Sequence, residues 1–282
     1  MHSVSLAERE KIMSKMNHAI YEIHHMDTMA QKNQWVNLIH PLVKLLLTVF
    51  YIAVTVSFSR YDIIGLAGMV LYPLAVFILG DISIKDSLRR LRVVLPLVCV
   101  IGIFNPFFDK VPVVFMGIPM NAGVLSMFTL MMKGIFSVMA SYLLIATTSI
   151  EKICYALSLL HVPRIMVTQI LLTYRYITVL LEEVNRITQA YSLRAPNQKG
   201  IHFKVWGSLT GQLLLRSMDR AEVVYESMLL RGYKGDFKYM GQKVKFRMQD
   251  FLYLLLWAGV IVLFRMQPVF IVIGNFAGGF FR

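Results

Sequence analysis

The sequence predicts an all-α polytopic membrane protein, with about five transmembrane helices and a pair of long amphipathic helices in the cytoplasm. Three observations predict it. The 282 residues are 57% hydrophobic and only 16% charged, too apolar for an ordinary soluble domain and too charged for spans alone. Apolar runs of near-span length recur between 42 and 148 and again after 250. Between these regions, 149–250 carries charges at helical spacing.

The elements follow in order. Residues 1–41 are polar, with His18, His24, His25 and Asp27, and read as a partly helical cytoplasmic segment. Pro41 opens the run "LVKLLLTVFYIAVTVSF", 42–58, just long enough to cross about 30 Å of hydrocarbon at about 1.5 Å per residue. Lys44, near its start, is expected to snorkel to the headgroups. After the turn "SRYD" comes a second run, 63–79, where Gly65 and Gly68 allow close helix contact and Pro73 is expected to kink the chain. A third run covers 93–108, and a fourth ends at 148. These four make the region 42–148. The region 251–282 adds a last run, 251–264, interrupted by Arg265, and a tail.

Charge sets the orientation. The formal net charge is +13. On a soluble protein that would suggest nucleic acid, but here it is read as Lys and Arg kept on the cytoplasmic side of spans, with no nucleic-acid partner. The loop 81–92 holds Lys85, Arg89, Arg90 and Arg92 and is placed inside, whereas 109–121 holds only Asp109 and Lys110 as charges and is placed outside. Chaining the turns puts the N-terminus inside, and the C-terminus outside if the last run spans. Cys99 and Cys154 offer neither a disulfide framework nor a CxxC metal pair. No cleavable signal, repeat or low-complexity tract is evident.

Within 149–250 no window reads as apolar enough for a span. "PRIMVTQILLTYRYITVLLEEVNRITQAYSLRAP", 163–196, opens and closes with proline, as a long helix does. Its Ile170, Tyr174, Ile177, Leu181, Val184 and Ile187 recur at three or four, in a rod of about 45 Å. After the break "APNQKG", a second rod runs from about Lys204 to Arg231. Each rod ends in an arginine: Leu193-Arg194-Ala195 and Leu230-Arg231-Gly232. Arginine in a last turn suits the helix dipole, and glycine just beyond is a common cap. The same two arginines can also serve as pegs for another protein.

The stretch "LIATTSIEKICYALSLLHVPRIMVTQILLTYRYITVLLEEVNRITQAYSLRA" resembles the transmembrane (T) component of energy-coupling factor (ECF) transporters, with its threonine-rich span end, "ALSLL..P" element and "RYI" helix. "MDTMAQKNQWVNLIHPLVKLL" and "FNPFFD" resemble the cobalt subgroup, CbiQ. In that family each coupling helix ends in an X-Arg-X motif, typically Ala-Arg-Gly. Both motifs here depart from it at the first position, and the first lacks the glycine. The resemblance implies a multi-pass subunit of a prokaryotic inner (plasma) membrane importer. Its partners would be two ABC ATPase subunits of the CbiO type and a substrate-binding membrane subunit of the CbiM type, with or without a small accessory membrane subunit. It would carry no cofactor or metal of its own. ATP and magnesium would sit on the ATPases, cobalt would be the transported substrate, and Arg194 and Arg231 would enter grooves on the ATPases. Nickel or a vitamin are alternative substrates.

The residues also weigh against other classes. There is no G-x-x-x-x-G-K-[ST] loop to cradle ATP phosphates, and no nucleophile–base constellation. A self-contained secondary metal carrier would be expected to show ionisable groups within its spans, and runs two to four hold almost none. The N-terminal histidines are read as structural or interfacial rather than as a metal funnel, and Met1-His2 as a chance pairing rather than an amine-plus-imidazole metal site. The 18 methionines are read as adaptable packing, and Trp206 and Trp257 as an interface belt.

Overall fold

The computed structural model describes residues 28–30, 34–82, 87, 96, 98–106, 112–115, 118–195, 201–235 and 246–266. Its helices are α1 (Trp35–Leu38), α2 (Pro41–Ser57), α3 (Ile63–Gly68), α4 (Leu71–Leu79), α5 (Ala122–Thr147), α6 (Ile150–Leu159), α7 (Arg164–Arg194), α8 (Phe203–Leu230) and α9 (Met248–Met266). A further helical stretch covers 98–106. The architecture is all-α and polytopic in character, with one small departure. The region read as an outer loop holds an antiparallel hairpin, β1 (Pro112–Phe115) and β2 (Ile118–Asn121), pairing Pro112 with Asn121 and Phe115 with Ile118. Val113 and Val114 favour an extended backbone, and proline is tolerated at the ends of such a two-stranded ribbon.

The described residues fall into two compact units, one within Ile150–Gly241 and the other within Met29–Ser149 and Gln242–Arg282. In the second, α2, α5 and α9 pack on spacings of about one turn. Val43, Leu47 and Tyr51 on α2 meet Phe136, Ala140 and Leu143 on α5, with Tyr253, Trp257 and Ile261 on α9. Leu46, Val49, Leu252 and Leu263 on the same helices point outward. A bundle that is apolar both inside and outside is suited to lipid. Trp257 belongs to the inside. It is buried and packs edge-on to Tyr72 with ring centroids 5.2 Å apart. The interface-belt role expected for it is therefore wrong; Tyr72 of α4 and Tyr253 one turn before it on α9 pack against its ring.

Lys44 corrects a second expectation. Its side chain does not snorkel: the residue is 5% exposed, and the ammonium donates to the Thr147 carbonyl at 2.9 Å. The last turn of α5 has carbonyls with no intrahelical donor, and a buried ammonium serves one of them. At the other end of α2, Arg265 in the last turn of α9 donates to the Ser57 carbonyl at 3.2 Å. Asp250, near the start of α9, accepts from the backbone N–H groups of His40 and Arg247 at 2.9 and 2.8 Å. These contacts fix directions: α9 runs parallel to α2, and α5 antiparallel to it.

The run 63–79 shows why Pro73 matters. Asp62 caps α3 by accepting from the Gly65 N–H at 2.9 Å. A Cβ on Gly65 would meet that carboxylate at 2.7 Å, whereas one on Gly68 would come within 2.3 Å of Phe264. Gly65 is thus small for a cap and Gly68 for helix contact. The helix breaks at Met69–Val70. Pro73 has no N–H to offer the Met69 carbonyl four residues back, and the buried Tyr51 hydroxyl donates to that carbonyl at 2.8 Å. Tyr51→Phe is therefore expected to cost about 1–2 kcal/mol, read as a lowered unfolding midpoint in detergent. An unchanged midpoint would mean that another donor serves the carbonyl.

By length and composition, α5, α7 and α9 can each cross a membrane, and α2 and the run 63–79 are shorter apolar helices. The presence of α7 in that set corrects the reading that nothing within 149–250 is apolar enough. The early, apolar half of a 31-residue helix supplies a full window before Glu183 and Arg186 begin the charged half. The third run lies partly outside the described residues. So do Lys85, Arg89, Arg90, Arg92, His18, His24, His25 and Asp27.

Candidate functional site

The unit within Ile150–Gly241 is built from α6, α7 and α8. The element "ALSLLHVP" makes its first corner. His161 takes a left-handed φ of 61°, so the N–H groups of His161 and Val162 fold back to the carbonyls of Ser158 and Leu157. This closes α6, and Pro163 then caps the start of α7. Cys154 on α6 is buried. Burial pushes its thiol above the ordinary range, and Glu151 adds to the shift. Because the thiol stays protonated further up the pH scale, its alkylation in the folded chain should stay slow through pH 8 and accelerate only on unfolding. Maleimide labelling of a Cys99→Ala variant reads this directly.

α7 and α8 meet through one ion pair. The Arg216 guanidinium donates to the Glu183 carboxylate, and Arg186 stands 3.9 Å from the same group. On one side of the pair an apolar groove of about 470 Å³ runs between the helices, lined by Leu172, Tyr176 and Leu180 of α7 and Val224, Met228 and Tyr233 of the α8 end. The groove lies before Glu183 on α7 but after Arg216 on α8, so the helices are antiparallel. No residue of α8 is buried. Phe203, Trp206, Leu214 and Met218 all stand exposed, so α8 carries an open apolar face.

The two arginine motifs lie at opposite ends of this pair. Arg194 is about three turns beyond Glu183, or about 17 Å, and Arg231 about four turns beyond Arg216, or about 23 Å, in the opposite sense. Both arginines are exposed, and among the described residues neither makes an ion pair. The leucine before each is exposed too, Leu193 by 74% and Leu230 by 90%. The helix ends differ in mechanism. At α8, Gly232 adopts φ 82°, and the N–H groups of Gly232 and Tyr233 reach back to the Leu229 and Met228 carbonyls, each at 2.9 Å. That is a complete Schellman closure, which needs a residue tolerant of positive φ. At α7, Ala195 sits at φ −124°, with its N–H on the Tyr191 carbonyl at 3.0 Å. No left-handed residue is required there, which explains alanine in place of glycine.

The family model for the cobalt transport protein CbiQ matches residues 32–242, a span that takes in α1 to α8 and both arginines. The chain belongs to the CbiQ family. Two uncharacterized proteins of Methanocaldococcus jannaschii are similar to it, one 32% identical over 39% of the chain and 38% of the relative. The other is 31% identical over 48% of each. The cobalt transport protein CbiQ of Salmonella typhimurium is 27% identical over 42% of the chain and 52% of that protein. The chain thus spans about half the length, or less, of the curated relatives it matches.

Sequence reasoning put Arg194 and Arg231 at the two helix ends, where they stand, but missed the Glu183–Arg216 contact. A signal was there: Glu183 interrupts a stripe of apolar residues on α7, where a carboxylate needs a cationic partner. No group of three or more His, Cys, Asp or Glu residues suited to a metal occurs among the described residues.

Proposed function

We propose that this CbiQ-family chain is the non-catalytic coupling subunit of an ECF-type importer in a prokaryotic plasma membrane, moving cobalt at the expense of ATP hydrolysed elsewhere. The observation that carries it is the pair of exposed guanidinium groups, without an ion-pair partner among the described residues, at opposite ends of one antiparallel helix pair, each beside an exposed leucine. One exposed C-terminal arginine is an ordinary helix end. Two, at opposite ends of about 40 Å of helix, suit a pair of partners of the same kind.

In this reading each guanidinium enters a groove on one of two ABC ATPases. Guanidinium has a planar fork that pairs bidentately with carboxylate and stays charged when desolvated. When ATP draws the ATPases together, the pinned helix ends follow. Rods of 31 and 28 residues carry that displacement to the exposed apolar face of α8, against which a substrate-binding membrane subunit rests. ATP and magnesium belong to the ATPases and cobalt passes through the substrate-binding subunit, so neither requires a site on this chain.

Coexpression with its ATPase and substrate-binding neighbours tests the reading. Copurification with two ATP-binding subunits, and ATP-dependent uptake of labelled cobalt only by the full assembly, are the expected results. Metal transport by this chain alone in proteoliposomes would make it a carrier instead. Competition between cobalt and nickel in the same assay assigns the ion.

A further inference from the structure

Two basic side chains from different helices converge on the C-terminal end of α2. The Lys133 ammonium, from the middle of α5, donates to the carbonyls of Val56 at 3.0 Å and Phe58 at 2.6 Å. The Arg265 guanidinium, from the last turn of α9, donates to the Ser57 carbonyl between them and lies 4.8 Å over the Phe58 ring. Capping open carbonyls explains one cation here. It does not explain two on a three-residue stretch, since like charges this close repel. Among the described residues no carboxylate pairs with either.

Their hydrogen-bonding capacity is not used up. Arg265 spends one of its guanidinium N–H donors on the carbonyl and Lys133 two of its three, and Arg265 is exposed. The surroundings are apolar: Val56, Val262, Leu263 and Met266 are exposed by 58, 39, 60 and 78%. Next along the chain come Arg60 and Tyr61, both exposed, residue types that favour a headgroup boundary. A molecule filling this place would need a compact anion for the cations and hydrocarbon for the flanks.

We propose that Lys133 and Arg265 form a seat for the phosphate of an anionic phospholipid, whose acyl chains run along the exposed apolar faces of α2 and α9. The cations neutralise the phosphate, and the phosphate relieves their mutual repulsion. The seat lies in the unit within Met29–Ser149 and Gln242–Arg282 and does not depend on the coupling role.

Native mass spectrometry and thermal unfolding of the full chain test it, with phosphatidylglycerol, phosphatidylcholine and inorganic phosphate as separate additions. The wild type should retain phosphatidylglycerol about tenfold over phosphatidylcholine, whose phosphate is the same but whose trimethylammonium adds a third cation beside Lys133 and Arg265, and unfold at a higher temperature with it. Lys133→Gln/Arg265→Gln should lose both effects, while Lys133→Arg should keep them. Equal retention of the two lipids by the wild type overturns the proposal, a result that holds even if the double variant fails to fold. Full stabilisation by inorganic phosphate alone overturns the lipid assignment. Undiminished selectivity in a folded double variant places the lipid elsewhere and overturns it as well.

Discussion

Replacing both Arg194 and Arg231 by alanine is expected to abolish ATP-driven cobalt uptake by the assembled transporter while leaving expression and membrane insertion near wild type. The two expectations separate because the side chains contribute little to this chain's own fold. Both are exposed, and an exposed substitution with no partner usually shifts stability by no more than about 0.5 kcal/mol. The lost dipole interaction at a helix C-terminus adds about 0.3–1 kcal/mol. In a groove on an ATPase the same guanidinium would be desolvated against a carboxylate, and removing one partner of such a pair costs about 3–5 kcal/mol. Each single variant should therefore lower coupling by about a hundredfold or more. Lysine at either position should restore only part of it, because a point charge cannot reproduce the bidentate fork. Cobalt uptake and ATPase stimulation, measured beside the amount of chain in the membrane, read the difference. Wild-type uptake by the double variant would sink the coupling role.

How much of this was legible from sequence depends on the kind of contact. The long helices were, because Pro163 and the three-or-four spacing from Ile170 to Ile187 are local signals, and α7 ends at Arg194 as the motif required. The break near Pro73 was legible for the same reason. What completes it was not: the Tyr51 hydroxyl lies 18 residues away, and no periodicity announces a side chain that serves another helix's carbonyl. Lys44 misled for a related reason. A lysine near the end of an apolar run normally reaches water, and only the arrival of the α5 terminus, 103 residues later in sequence, makes burial the better solution. The threonines of "LIATTS" likewise acquire meaning only in the fold, where Thr147 bonds the Leu143 carbonyl and its own carbonyl receives Lys44. The helix-end arginines could be read as caps or as pegs, and their exposure on the folded chain is what favours the second reading.

The glycine after Arg231 admits a sharper experiment than its counterpart. Gly232→Val should reduce cobalt uptake about tenfold or more even though Arg231 remains, whereas Ala195→Gly should stay close to wild type. At φ 82° a β-branched residue is strained by about 1–2 kcal/mol or more. The strain is relieved by undoing the closure on Leu229 and Met228. Each residue by which the helix end frays or extends turns the exiting chain by about 100°, so the Arg231 fork would leave its groove while the rest of α8 stays intact. Ala195 is at φ −124°, where glycine gains no new contact and loses only some chain entropy on folding. Gly232→Asn discriminates further, because asparagine tolerates the left-handed region. If backbone geometry is the reason for glycine, the asparagine variant should keep most of the uptake. If it fails as badly as valine while α8 remains helical by circular dichroism, the glycine is needed for close approach of a partner's surface rather than for its φ.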